Sequence, residues 1–208
     1  MSIYLGYDVL EVNYNRNQSL QERIDRKVAR LDSRTGEKWF DEQSPAPNPT
    51  RPFVWTANGK AEMAALRAFL DARHGRAVPF WFPSFQWDLS LAEDLASTVS
   101  IATIVWARYT EQMFGTTGGR RYVALWTYGI PTPLDPYKIA DANDPGNGST
   151  ESITLSPAAT RLYPKATTVI SFLKLCRLES DEVEISYPGG DVAEARIPVR
   201  ELPLEAAP

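Results

Sequence analysis

The sequence predicts a mainly β protein: a β-sandwich or barrel-like core with one long α-helix, at about residues 59–74, packed on it. Prolines number 16 among the 208 residues, well above the usual share of about 5%. Because proline is excluded from helix interiors and central strands, we expect many short extended segments joined by loops. Residues 59–74 combine apolar side chains at three-to-four spacing with helix-end signals, so one long helix is expected there.

The composition excludes several classes of function. The chain has one histidine, His74, and one cysteine, Cys176, so no cysteine or Cys/His zinc cluster and no intrachain disulfide can form. No apolar stretch approaches the roughly 20 residues of a membrane span, and Met1–Tyr7 does not resemble a signal peptide. The net charge of −4 argues against bulk binding of nucleic acid.

The N-terminal part is predicted as strands and turns. Ser2–Asn15 is read as extended with a turn at Gly6, and Glu22–Leu31 as an edge strand, with a helix as the competing assignment. Ser44–Pro52 holds four prolines in nine residues, which predicts a stiff connector rather than a central strand. A short strand is then expected at Phe53–Thr56.

The helix prediction rests on its ends as well as its spacing. Asn58 is a plausible N-cap residue, and Met63, Leu66 and Leu70 recur at helical spacing. His74 falls in the last turn, where a cation suits the helix dipole. Gly75 can supply the left-handed residue that ends a helix.

A dense aromatic stretch follows the helix and is bracketed by prolines. Its five aromatic side chains are Phe80, Trp81, Phe82, Phe85 and Trp87. Such residues can cover the domain's own core, bury in a subunit interface, or stack on a sugar. Core cover is the favoured interpretation, because five exposed aromatics on a free monomer would promote association.

The remaining chain is predicted as strands around one long irregular segment. Val99–Arg108 and Arg121–Tyr128 are rich in strand-forming residues, and the glycines between them allow a hairpin with a long loop. Gly129–Thr150 holds four prolines and is read as a loop or a division of the chain, which is otherwise taken as one module of residues 1–208. Strands are expected at Ser152–Leu155 and Thr167–Arg177.

A C-terminal hairpin is predicted with its turn at residues 188–191. Alternation buries Val183, Ile185 and Tyr187 on one face and leaves Glu182 and Glu184 on the other. The last 37 residues carry 4 basic and 8 acidic groups. Glu182 and Glu184 are therefore candidates to face a basic partner, where charge would guide docking.

No motif carries catalytic chemistry. His74 is the only histidine that a Ser–His–Asp triad could use, and the dipole-assisted structural role is favoured. Gly115–Arg120 lacks the Lys-Ser/Thr end of a phosphate loop, and a calcium loop starting at Asp141 would have Ser152 where glutamate is required. We therefore predict no catalytic residue, no cofactor, no metal site and no enzyme activity.

The order of several segments resembles a known family. The segments are Arg34-Thr35-Gly36, the helix Ala65–Gly75, Pro79-Phe80-Trp81-Phe82-Pro83-Ser84, Asp88-Leu89, residues 176–185 and Arg200-Glu201-Leu202-Pro203. Together they resemble minor tail proteins of long-tailed bacteriophages and related prophage or gene-transfer particles, and are most similar to the distal tail protein class. The helix followed by Phe-Trp-x-Pro carries most of this resemblance.

The resemblance implies a role and partners. It implies a β-rich virion component, made in the host cytoplasm, that forms a ring, commonly a hexamer, at the tail tip or baseplate. The ring would join the tail tube to the hub or tip proteins, without a membrane and without direct nucleic-acid binding. Two alternatives stay open: a carbohydrate-binding or receptor-contacting tail module that uses Trp81 or Trp87, and a tail-associated glycan hydrolase.

Overall fold

The structure is a computed structural model that describes residues 2–11, 23–26, 28–32, 38–43, 48–116, 120–128 and 134–202. Strands dominate these residues, and the only long helix is α1 (Gly59–Arg73), beside a five-residue π-helix (Thr110–Phe114). The strands are β1 (Ile3–Tyr4), β2 (Tyr7–Asp8), β3 (Arg23–Asp25), β4 (Val28–Asp32), β5 (Lys38–Glu42), β6 (Asn48–Asn58), β7 (Phe80–Pro83), β8 (Ile101–Val105), β9 (Tyr122–Thr127), β10 (Asp135–Asn143), β11 (Thr150–Ser156), β12 (Thr168–Leu178), β13 (Ile185–Gly189) and β14 (Val192–Glu201). The predicted mainly β class is confirmed.

The chain divides into two compact units. Unit 1 consists of residues 1–11, 80–174 and 207–208, and unit 2 of residues 12–79 and 175–206. Each unit has its own buried apolar core. Residues 129–150 fall within unit 1, and the division predicted near them stays a prediction.

Unit 2 is built on an antiparallel sheet covered by α1. β14 pairs with β6 along residues 192–200 and with the last residues of β12, and β13 and β14 form the predicted C-terminal hairpin. The predicted buried face of its first strand is wrong at Tyr187, which is 50% exposed. Helix residues Leu66 and Phe69 are buried, and the ring of Phe69 lies 5.6 Å from that of Trp55 on β6. The prediction that the helix packs on the sheet is confirmed, because its apolar stripe has this surface to cover.

The prediction of a stiff connector at Ser44–Pro52 is wrong over its last five residues, and residues 44–47 lie outside the described part of the chain. β6 begins at Asn48, includes Pro49 and Pro52, and pairs with β14 from Thr50 onward. Within the described residues, β3 pairs only with residues 48–50 of β6, so Pro52 lies beyond the end of that pairing. Proline has no N–H to donate, so a strand tolerates it where that side has no hydrogen-bonded neighbour. The composition of the segment does not show where such a side lies.

The ends of α1 differ in detail from the prediction. Asn58 occupies the N-cap position, but its side chain makes no capping hydrogen bond; instead its backbone N–H donates to Glu62 Oε2 at 2.8 Å. At the other end His74 is already left-handed, with φ of 48°, and Gly75 follows with φ of 64°. Gly75 lies against Asp181, which accepts hydrogen bonds from Arg76.

Gly75→Ala is expected to lower the free energy of unfolding by about 1–3 kcal/mol, because a left-handed residue with a Cβ is strained and the Cβ would push the Asp181 carboxylate away from Arg76. A Cβ at Gly75 would stand 2.5 Å from Asp181 Oδ1. Gly146→Ala is the matched control: its φ of +74° is also left-handed, but nothing lies within 4 Å of its Cβ position. Urea unfolding of both variants measures the difference, and equal losses would show that the Asp181 contact is unimportant.

Unit 1 holds the larger core, with antiparallel strands in the order β12-β9-β10-β11-β8. The side chains that meet in this core include Ile104, Tyr109, Val123, Leu125, Ile139, Ile153, Ile170 and Phe172. The predicted hairpin of Val99–Arg108 with Arg121–Tyr128 is wrong, because β10 and β11 lie between β8 and β9. The strands themselves are confirmed, as are β11 and β12.

The predicted irregular segment Gly129–Thr150 contains a nine-residue strand, β10. Tyr137 and Ile139 are buried in the core, and the exposed Lys138 lies between them. This alternation is typical of a strand with one buried face. The loop to β11 is the part that behaves as predicted: Asp144 accepts from the N–H of Gly146, and Asn147 from that of Ser149. These side-chain turns explain the polar composition that obscured β10.

The prediction for Ser2–Asn15 holds over residues 2–11, which the structure describes. β1 and β2 form a small antiparallel pair around Leu5-Gly6, as expected for the extended segment with a turn. The edge strand predicted at Glu22–Leu31 is two strands, β3 and β4, in different sheets. The Arg34-Thr35-Gly36 turn lies outside the described residues.

Candidate functional site

Four of the five predicted aromatics are buried in unit 1. Phe80, Phe82 and Phe85 have almost no exposed surface, and Trp81 is 1% exposed. The Trp81 Nε1–H donates to the carbonyl oxygen of Tyr4 at 2.8 Å. The structure therefore places these four side chains in the core, and Trp81 has no face left to stack on a ligand.

Trp87 differs from the other four and lies at the surface. It is 45% exposed, and its ring centroid lies 6.2 Å from that of Tyr128, which is 53% exposed. The two rings are inclined at 44°, so they form an open aromatic notch. Tyr128 was not singled out from the sequence, because its position after β9 brings it to Trp87 only in three dimensions.

The two predicted acids, Glu182 and Glu184, are exposed on unit 2. Glu184 lines a shallow hollow of about 290 Å³ together with Val54, Glu194 and Arg196. The hollow carries two carboxylates and one guanidinium, so it suits a partner surface with a basic side chain.

His74 lies at the end of α1, as the sequence indicates. It borders a second hollow of unit 2, of about 410 Å³, beside Asp71 and Asp181. Asp181 accepts hydrogen bonds from the backbone and side chain of Arg76, which hold the pKa of its carboxyl below the usual range. Across the described residues, no three His, Cys, Asp or Glu side chains converge as metal ligands would.

Glu151 is a buried carboxylate that the sequence analysis missed. Its Oε1 accepts from the backbone N–H groups of Ala107 and Tyr109, and its Oε2 accepts from the N–H and hydroxyl of Thr110, all between 2.7 and 3.0 Å. Burial alone would raise the pKa of this carboxyl, but the hydrogen bonds from Thr110, Ala107 and Tyr109 outweigh it and hold the pKa below its ordinary value. The side chain closes the turn that begins the π-helix, so its role is structural.

A second polar network lies within unit 1. The Tyr163 hydroxyl donates to Asp135 Oδ2 at 2.5 Å and contacts the Tyr137 hydroxyl at 2.9 Å, and Arg161 pairs with Asp135 at 2.7 Å. Burial raises the pKa of Tyr163, and its hydrogen bonds to Asp135 and Tyr137 add to the rise. A hydroxyl held neutral in this way is a hydrogen-bonding group rather than a base, so the network fixes β10 against the residues that follow β11.

Among the described residues, the two-stranded sheet formed by β4 and β5, here named the ribbon, exposes several large apolar side chains close together. Leu31, Trp39 and Phe40 are 63%, 64% and 68% exposed. Leu31 stands opposite Trp39 on one face, and Arg30 stands opposite Phe40 on the other. The ribbon therefore presents large apolar side chains on both faces.

Ion pairs engage the arginine of the ribbon and the arginine just before it. Arg26 contacts Glu42 at 2.9 Å, and Arg30 contacts Asp32 at 3.0 Å. Because opposite charges cancel locally, the feature that distinguishes this surface is its apolar side chains. β5 was not predicted from the sequence. The signal in Lys38–Glu42 is two adjacent aromatic residues, which a strand must place on opposite faces.

Comparisons with known proteins give no assignment. No family model matches the chain, and no curated protein matches it. None of the helices in the described part of the chain combines the length and apolar composition needed to cross a membrane.

Proposed function

We propose that this chain is a structural component of the tail of a long-tailed phage or a related particle. In this proposal several copies form a ring at the distal end of the tail tube and join the tube to the hub or tip proteins. The chain needs no cofactor and performs no turnover. The family part of the proposal rests on the sequence resemblance, centred on the helix followed by Phe80-Trp81-Phe82-Pro83.

The observation that carries the assembly part is the ribbon. A small two-stranded sheet with Leu31, Trp39 and Phe40 each more than 60% exposed leaves apolar surface in water on both faces. Aromatic residues are enriched in the cores of protein interfaces, and exposed strands of this kind promote pairing with other chains. In an assembled ring, contacts with other copies or with neighbouring proteins would bury these side chains.

Charge supports the same conclusion. The hollow beside Glu184 and Glu194 on unit 2 offers carboxylates to a basic neighbour. Complementary charges mainly accelerate docking and select the partner. The tail tube and the hub or tip proteins are the partners that the proposal assigns to the ring.

Two electron-microscopy experiments test the proposal. The purified chain, examined by negative staining, should form closed rings with a central opening. Gold-labelled antibodies against the chain should bind one end of the tail on particles released by the organism that encodes it. Particles that carry no label, or label only on the head, would contradict the tail assignment.

The aromatic notch favours a second candidate, a carbohydrate-binding tail module. Aromatic rings exposed at a surface can stack on sugar rings. Trp87 and Tyr128 are both about half exposed and lie side by side. On a glycan array, Trp87→Ala and Tyr128→Ala should each weaken binding by about tenfold or more, as for central aromatic contacts elsewhere. Tyr187→Ala is the matched control, since Tyr187 on unit 2 is 50% exposed and lies outside both the notch and the ribbon, so its loss should leave glycan binding unchanged. A wild-type chain that binds no glycan would remove this candidate.

A further inference from the structure

We infer that, in the proposed ring, β5 of one copy pairs edge to edge with β4 of the next copy. The ribbons of neighbouring copies then form one continuous antiparallel sheet. This inference rests on the proposed function for the existence of the ring, and it names the surface by which copies meet.

The first argument is the pair of open edges. β4 and β5 form a sheet of only two strands, so each strand uses one edge, and no strand in the described residues pairs with the other edge of either. An open edge presents unpaired backbone N–H and C=O groups, which are a template for another strand. A two-stranded sheet is also marginally stable alone, and further strands beside it supply what it lacks.

The second argument is complementarity between the two strands. The register places Lys38 opposite Asp32 and Trp39 opposite Leu31 within one chain. These side chains stand above or below the sheet, so they can also contact a strand that pairs with the outer edge of β4 or β5. Repeating the same register between copies sets Lys38 beside Asp32 of the next copy, and Trp39 beside Leu31 of the next copy. Opposite charges and apolar pairs at directly facing positions both stabilise a sheet.

The third argument concerns the kind of partner. Arg26 and Arg30 are engaged with Glu42 and Asp32, so the ribbon has no surplus of positive charge for a nucleic acid or an anionic membrane. The open edges and apolar faces of the ribbon fit another strand with the same pattern of side chains. β4 and β5 of a second copy are such strands. A second copy of this chain is therefore the occupant.

Symmetry then connects the contact to the ring. The contact joins unlike edges, β5 to β4, so each copy keeps one free edge of each kind for its two neighbours. Head-to-tail contacts of this type close into rings when the rotation between copies allows it. Pairing of β5 with β5 would instead stop at two copies.

Crosslinking of mixed variants tests the pairing. Ala29 stands opposite Asp41 in the ribbon, so one preparation carries Ala29→Cys and a second, tagged preparation carries Asp41→Cys. The native Cys176 is buried and gives little background. A short bismaleimide should link one copy of each variant when they are mixed, and much less when either is alone. Linkage of Asp41→Cys to itself as strongly as to its mate, or no mixed product, would overturn the inference.

Sedimentation velocity measures the same contact without a crosslinker. Leu31→Ser with Trp39→Ser should raise the dissociation constant between copies by roughly 30-fold, as expected for losing a central aromatic contact. Ile101→Ser is the matched control: Ile101 on β8 is 59% exposed and should leave association unchanged. An equal effect of both changes, or a wild-type chain that stays monomeric at all concentrations, would contradict the inference.

The outcomes separate this inference from the proposed function. Rings in the microscope with unchanged assembly of the Leu31 and Trp39 variant would refute the ribbon contact and leave the ring intact. A mixed crosslink together with unlabelled tails would support the ribbon contact and refute the tail assignment.

Discussion

Trp81→Ala is expected to lower the free energy of unfolding of unit 1 by about 3–5 kcal/mol, the range for removing a buried large aromatic side chain. The Trp81 ring is 1% exposed and lies 4.8 Å from the Tyr122 ring and 5.7 Å from the Tyr4 ring, measured between centroids. Truncation leaves a cavity among these rings and also removes the donor to the Tyr4 carbonyl oxygen. Urea unfolding followed by fluorescence or circular dichroism measures the loss.

Trp87→Ala is the control for Trp81→Ala. Trp87 is 45% exposed, so truncating it should cost less than about 1 kcal/mol, as most surface changes do. Losses of equal size would mean that Trp81 is not part of the core. The comparison also shows that Trp81→Ala is a poor probe of sugar binding, because lost binding would follow from lost folding.

Glu151→Ala is expected to lower the free energy of unfolding by about 3–5 kcal/mol. Each buried donor left without a partner costs about 1–3 kcal/mol, but of the residues that donate to Glu151 only Tyr109 is buried, and the exposed Ala107 can turn to water. Three backbone N–H groups, of Ala107, Tyr109 and Thr110, lose their acceptor, as does the Thr110 hydroxyl. Glu151→Gln should cost less, since its amide keeps one acceptor oxygen. Glu111→Gln, an exposed change in the same π-helix, should have little effect; similar losses at both positions would contradict the role of Glu151.

The stabilisation from Glu151 should depend on pH in a defined direction. Hydrogen bonds hold the pKa of this carboxyl below its ordinary value of 4.5 in the folded chain. A carboxyl with a lowered folded pKa contributes its stability fully above the unfolded pKa and loses it as the pH falls through the folded pKa. The difference in unfolding free energy between the wild type and Glu151→Gln should therefore be constant near neutral pH and shrink in acid. A difference that grows as the pH falls would contradict the assignment.

Local patterns in the sequence predicted the elements that they encode directly. The helix from Gly59 to Arg73 follows from apolar spacing, and the C-terminal hairpin from alternation around Pro188–Asp191. The burial of Phe80–Phe82 follows from aromatic density. In each case the information lies within a few neighbouring residues, where helical and strand periods are visible.

The errors arise where the answer depends on distant residues. Alternation identified β8 and β9 as strands but not their partners, and β10 and β11 lie between them. The prolines and polar turn residues around β10 masked Tyr137 and Ile139, whose burial depends on the rest of the sheet. Glu151 reads as one more acid in a polar stretch, because its partners at 107–110 lie more than 40 positions earlier.

The candidate surfaces show the same limit. Trp87 was identified as an aromatic of interest, but its neighbour Tyr128 is distant in sequence and joins it only through the fold. The ribbon was only half predicted: β4 overlaps the edge strand expected at Glu22–Leu31, whereas β5 was not predicted because three of its five residues are charged. Only the structure shows that Trp39 and Phe40 are both in water.

The long separation between Glu151 and its donors also constrains the order in which this part of the chain folds. The turn at residues 107–110 cannot complete its hydrogen bonds until Thr150–Ser156 has docked beside Ile101–Val105, which brings the carboxylate into place. Closing a loop of that length costs entropy before any contact repays it. We therefore expect the turn that begins the π-helix to gain its full stability only after the two strands have docked, and a change that slows their docking should delay that step.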